Sequence, residues 1–236
     1  MSGNRTASAP AFIAVLLAGL LAPALALAHG VADKDAAFIQ ANPGLQIVPF
    51  LYLGAKHMVT GYDHLLFLAG VIFFLYRLRD VALYVTMFSI GHSITLLSGV
   101  LSGIHVNPFL VDAVIGLSVA YKAFDNLGAF PLLFGFQPNT KLVVLGFGLV
   151  HGFGLATKLQ ALKLSMDGLV ANIVAFNVGV EIGQIVALTV ILTLMVWWRS
   201  TQAFQRQAVT ANLILMGAGF VLAESQIAGF LMERGA

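Results

Sequence analysis

The sequence predicts an all-α fold, a polytopic integral membrane helix bundle of about six transmembrane helices behind a cleavable signal peptide. Three observations predict it. Of the 236 residues, 59% are hydrophobic and only 9% are charged, whereas soluble domains carry about 25% charged residues. The chain starts like a secretory precursor. Its apolar stretches also recur close to the roughly 20 residues that a bilayer core requires.

Residues 1–28 read as the signal peptide. Arg5 supplies the basic start, Ala11 to Leu21 the apolar core, and Ala26-Leu27-Ala28 the small-residue cleavage site. The alternative, an uncleaved first span, suits the short apolar core less well. Cleavage after Ala28 makes His29 the new amino terminus, which then either chelates a metal through amine and imidazole or is simply solvated. Residues 29–47 are polar and form an extracytoplasmic lead-in; 48–236 form the transmembrane domain.

Spans are expected at 48–77, 81–104, 108–126, 141–157, 168–198 and 209–232. The first is too long for a simple crossing. A break near Gly61 is expected, with His57 at the outer membrane boundary and Asp63 and His64 just inside it. A cleaved signal places the mature N-terminus on the periplasmic side of the inner (cytoplasmic) membrane. Arg77, Arg79, Lys122, Lys141, Arg199 and Arg206 then fall at cytoplasmic ends. Lys34, Lys56, Lys158, Lys163 and Arg234 fall outside, so the positive-inside bias is weak.

Ionisable residues interrupt these spans at specific places. Each costs roughly 2.5–3.5 kcal/mol on insertion scales, so such residues normally face the bundle interior and mark a site or pathway. His57, Asp63, His64, His92, His151 and Glu181 come from four spans and converge in depth, in the central to outer part of the membrane. They form a candidate shared metal site, with Asn177, Ser93, Gln184 and His29 as weaker candidates. His57 and His64 are seven residues apart, so a continuous helix stacks them two turns apart on one face. Asp63 then points elsewhere and is a candidate to hold a neighbouring imidazole by a hydrogen bond. Asn177, Glu181 and Gln184 form one polar stripe, and Ser89, His92 and Ser93 another. Gly99/Gly103, Gly148/Gly152 and Gly179/Gly183 are small-xxx-small pairs that let membrane helices approach closely.

Plainer roles exist for single residues. A lone His92 can bond a backbone carbonyl, Asn177 and Gln184 can be interhelical hydrogen-bonding glue, and His105 sits in a turn where water reaches it. Asp112 and Glu224 are either pathway acids or water-exposed. The chain has no cysteine, so any metal must be held by imidazole, carboxylate, amide or backbone groups. Such ligands suit nickel, cobalt, zinc, copper(II) or iron. The net charge of +2, without a basic run, gives no sign of nucleic acid.

Four strings carry a resemblance: His57-x5-Asp63-His64 followed by Leu65-Leu66-Phe67-Leu68, then Gly91-His92-Ser93-Ile-Thr95, then His151-Gly152-Phe-Gly154-Leu-Ala156, then Asn177-Val-Gly179-Val-Glu181-Ile-Gly183-Gln184. In this order they resemble the HupE/UreJ family of hydrogenase and urease accessory membrane proteins. The resemblance implies a polytopic protein linked to nickel or cobalt uptake for metalloenzyme maturation. In the family's better-characterised nickel branch a Glu follows the His of a Phe-His-Gly motif by seven positions. Here that position is Lys158, and the candidate carboxylate Glu181 lies on the next span, so the chain looks more like the second branch.

The leading expectation is a permease for a divalent transition metal, nickel or cobalt ahead of zinc, with an intramembrane His/carboxylate site near the outer side. Its partners would be the metal ion as cargo, the lipid bilayer, and either a second copy or an accessory membrane protein. No second histidine cluster marks an exit through the inner half. The alternatives are an intramembrane zinc-type metalloenzyme, for which no H-E-x-x-H string is present, and a metal-binding structural or sensor subunit of a membrane assembly.

Overall fold

The computed structural model describes residues 33–162 and 164–235, with side chains from residue 37 onward. The signal peptide and His29 lie outside the described residues. Nine helices are described: α1 (Asp33–Ala41), α2 (Ile47–Thr60), α3 (Tyr62–Ile72), α4 (Leu78–Ser102), α5 (Pro108–Asn126), α6 (Ala129–Phe134), α7 (Thr140–Gln160), α8 (Leu169–Arg199) and α9 (Gln202–Gly235). Of these, α4, α7, α8 and α9 are long and apolar enough to cross a membrane. The helix class and the bundle agree with the sequence-based expectation.

Local chemistry fixes the ends. Asn107 and Asn139 cap α5 and α7, their side chains accepting from Phe109 N and Leu110 N, and from Lys141 N and Leu142 N. Pro108 opens α5, where its missing N–H costs nothing. Gly103 ends α4 in the left-handed region at φ 62°, with no neighbour against it. The Gly99/Gly103 pair is thus not a packing pair: Gly99 touches Ala156 and Phe153, while Gly103 serves as the helix stop.

The expected long first span is two helices, α2 of 14 residues and α3 of 11, meeting at Gly61. The lead-in, expected to be merely polar, contains α1. It is pinned to the start of α8 by Asn172, which accepts from Gln46 N (2.7 Å) and donates to Gly44 O (2.8 Å).

Close approach of backbones builds the core. Gly179 lies against Leu51 and Ala55, and Gly183 against Ala55 and Met58, while Gly54 meets Phe176 and Val180, so α2 and α8 run parallel and in contact. Gly148 lies against Phe88, Gly152 against His92 and Thr95, and Gly99 against Ala156, so α4 and α7 are likewise parallel. A Cβ at most of these glycines would collide with the opposite backbone. Gly116 and Gly219 join α5 to α9, which run antiparallel. Between α4 and α8, also antiparallel, packing is looser and polar. These pairings place the starts of α2, α5 and α8 at one end of the bundle, here the upper end.

At the lower end Arg199 donates to Ile72 O, Phe73 O (2.6 Å) and Leu75 O (2.9 Å), tying the end of α8 to carbonyls at and just beyond the end of α3. Lys122 is buried and bonds Asp125 (2.5 Å) and Asn126 (2.9 Å). Both residues were expected at the cytoplasmic ends of spans, and both lie at this end of the bundle. Arg199 reaches across to the end of α3, while Lys122 bonds along its own helix α5, because a buried ammonium needs acceptors close by.

Candidate metal centre

The break between α2 and α3 creates the centre. Gly61 N donates to His57 O (2.9 Å), ending α2, and Leu65 N donates to Gly61 O (3.0 Å), starting α3. A straight helix would hold His57 and His64 two turns apart, about 10.5 Å along the axis. The break brings their ring centroids to 5.0 Å in an edge-on arrangement. A Cβ on Gly61 would lie 2.8 Å from His64 Nδ1 and 3.1 Å from Asp63 Oδ1, so this corner has no room for a larger residue.

Asp63 performs the holding role expected of it. Its Oδ1 accepts from His64 N and from His64 Nδ1, each at 2.9 Å. A carboxylate only accepts, so Nδ1 carries the proton and Nε2 is left as a lone pair. His151 is arranged in the same way: its Nδ1 donates to Phe147 O at 2.7 Å, which again leaves Nε2 basic. The His64 and His151 rings are 5.1 Å apart. The result is a row of three imidazoles, His57, His64 and His151, drawn from α2, α3 and α7.

His92 stands on α4, 2% exposed, with Asn177 within hydrogen-bonding reach. The Nε2 atoms of His57, His92 and His151 are sealed from solvent without a hydrogen-bond partner. Buried polar atoms normally have one, and leaving one unmet costs about 1–3 kcal/mol. For His151 the orphan is a lone pair, which a proton donor or a cation satisfies. Among the described residues, no three His, Asp or Glu side chains converge closely enough to hold a metal ion as they stand. A shared ion therefore needs side-chain rearrangement.

Depth differs from the sequence-based expectation. His57 was expected at the outer membrane boundary, yet Gly183, near the midpoint of α8, packs on Ala55 and Met58 beside it. His92 and His151 also lie near the middles of α4 and α7. The row sits halfway along the bundle because α2 spends nearly four turns descending before the break.

Glu181 is in a neighbouring place. The two predicted polar stripes zip together: Ser89 Oγ donates to Glu181 Oε2 (3.1 Å) and Gln184 Oε1 (2.9 Å), and Asn177 Nδ2 donates to Ser93 Oγ (2.8 Å). Thr86, Ser89, Ser93 and Glu181 line an open groove of about 360 Å³ between α4 and α8. Ser93, Asn177, Glu181 and Gln184 are thus brought to one seam, beside the imidazole row.

Three features have no clear sequence signal. Phe67 packs on Phe88, Phe147 and His151, with centroids at 5.4, 5.7 and 5.6 Å, an aromatic floor below the row. Further down, Asn126 joins Gly70 O (2.8 Å) and Asn212 (2.9 Å) beside the Lys122–Asp125 pair. On the upper side, Lys158 donates to both carboxylate oxygens of Asp112, at 3.0 and 2.8 Å. Asp112 is 7% exposed, while Glu224 and His105 are exposed.

The family model described as HupE / UreJ protein matches residues 33–234. No curated protein and no solved structure matches the chain.

Proposed function

The chain belongs to the HupE/UreJ family, and from that premise we propose that it is a membrane permease for a divalent transition metal, nickel or cobalt, with the imidazole row as its central binding site. The family is associated with nickel and cobalt transport for hydrogenase and urease maturation. One observation carries the reading for this chain: imidazoles from α2, α3 and α7 touch at a helix break halfway along the bundle, with the Nε2 atoms of His57, His92 and His151 sealed and unmet. Broken helices near the bilayer midplane are a recurring way of building transport sites.

The donor chemistry supports nickel or cobalt. Neutral imidazole is an intermediate ligand that suits these ions, and the absence of thiolate disfavours copper(I). In this reading His57, His64, His92 and His151 supply nitrogen, and Asp63 keeps the His64 lone pair pointing away from its own carboxylate. Glu181 with Ser89, Asn177, Ser93 and Gln184 provides an adjoining oxygen-lined groove. The protein sits in the inner membrane with α1 on the extracytoplasmic side, so the upper end faces outward. In this reading the Lys158–Asp112 pair closes the row from above and the packing of Phe67 on Phe88 and Phe147 closes it from below. Transport then requires each closure to open in turn.

Metal analysis of purified protein, combined with uptake of nickel, cobalt and zinc into protein-loaded vesicles, tests the proposal. Uptake that is lost in His64→Ala and His151→Ala supports it. Firmly bound metal with no flux in the wild type would sink the permease and favour an enzyme or a structural metal protein.

A further inference from the structure

The Lys158–Asp112 pair has a geometry that the central site does not explain. Asp112 stands near the start of α5, and Lys158 lies seven residues beyond His151 on α7, toward the upper end. The side chain of Asp112 is 7% exposed and that of Lys158 17%. Both carboxylate oxygens are taken up by the one ammonium. Burying a charged pair is expensive and frequently gives no net stability over apolar residues of the same size. Simple packing of α5 on α7 therefore does not call for it.

Its surroundings lead toward the imidazoles. The Tyr62 ring lies within electrostatic reach of both Asp112 and Asp63, and Asp63 holds His64. The Lys158 charge in turn reaches His57. Asp112, Tyr62 and Asp63 therefore share one electrostatic neighbourhood with the row. A cation approaching the row from the upper end past α5 and α7 meets Asp112 with its oxygens held by a cation already attached to the chain.

We propose that Asp112 is a second cation station above the imidazole row, and that Lys158 is a tethered stand-in which a hydrated divalent cation displaces on its way to the histidines. This rests on the permease reading for its purpose. A divalent ion outcompetes a single ammonium at a carboxylate when the ammonium can swing aside, and the long flexible lysine stem allows that. When the ion moves on to the imidazoles, Lys158 returns and closes the approach behind it. The station offers the two carboxylate oxygens of Asp112 and leaves the ion most of its water, unlike the nitrogen-lined row.

Cobalt(II) binding to the full chain in lipid nanodiscs tests this, by equilibrium dialysis and visible absorption. Lys158→Met is expected to bind one more cobalt per chain than the wild type, with the weak bands of octahedral oxygen ligation. Lys158→Arg, which keeps the charge, is expected to gain none, and Lys158→Met/Asp112→Asn to lose the extra ion. The double variant, which folds without a buried unpaired charge, carries the second readout. Its association and dissociation rates at the imidazole row are expected to fall together, on the order of tenfold, with the dissociation constant unchanged. An unchanged cobalt number in folded Lys158→Met, or unchanged rates in the double variant, would overturn the station. These measurements read binding, so a wild type without flux would remove the permease reading and leave this result separately visible.

Discussion

A single oxygen of Asp63, Oδ1, accepts from both the backbone N and the ring Nδ1 of His64, each at 2.9 Å. One carboxylate oxygen thus satisfies a backbone N–H in the first turn of α3 and orients an imidazole, so the helix start and the ring orientation are coupled here. Partners of this kind typically matter 10–100-fold in metal affinity. Asp63→Ala is therefore expected to weaken nickel or cobalt binding by about 10–100-fold, with the loss read by titration of purified protein. Asp63→Asn keeps an acceptor for the backbone N–H and is expected to fold more like the wild type while still binding metal more weakly.

Gly61→Ala places a methyl 2.8 Å from His64 Nδ1 and 3.0 Å from His57 O. Overpacking of this sort costs about 1–3 kcal/mol. The corner is expected to spread, separating His57 from His64, so metal content should fall further than thermal stability. A variant with full metal occupancy would show that the tight corner is not needed.

The helix pairs differ sharply in what they tolerate. Gly179 and Gly152 face backbone of the opposite helix, whereas Gly146 has nothing within 4 Å. Gly179→Leu and Gly152→Leu are expected to prevent accumulation of folded protein, and Gly146→Ala to leave it unchanged. Size-exclusion profiles in detergent would report both outcomes.

Lys122, 7% exposed, bonds Asp125 and Asn126 at the lower end. Removing one member of a buried pair generally costs about 3–5 kcal/mol, because the other charge is stranded. Lys122→Met is expected to approach that loss in denaturant unfolding, lessened by the bond that Gln137 gives Asp125 (2.6 Å). Lys122→Met/Asp125→Leu should recover most of it; no recovery would mean that the two charges act independently.

Much of the candidate site's geometry was legible in residue spacing. The break near Gly61 followed from a span too long for one crossing, and the stripes Ser89/Ser93 and Asn177/Gln184 followed from helical periodicity. The helical holding role of Asp63 followed from its place beside His64. Depth was not legible: His57 reads as a boundary residue when spans are counted from hydropathy, and only the packing of Gly183 on Ala55 and Met58 shows it near the centre. Partners far apart in sequence were hidden for the same reason. Nothing local tells Lys158 to find Asp112, 46 residues away. Glu181, assigned with the histidines on span depth alone, is drawn to Ser89 because α8 meets α4 through its polar stripe.

The glycine contacts have a mechanical consequence. α2 and α8 form one stiff blade and α4 and α7 another, and the blades meet along a seam of hydroxyls, amides and a carboxylate. Hydrogen bonds between short polar side chains can be exchanged for others by sliding, whereas interlocked backbones cannot. His57 rides on the first blade, and His92 and His151 on the second. Shear along the seam therefore alters the spacing between these imidazoles directly, so that in the proposed permease gripping the ion and shifting the blades become the same movement.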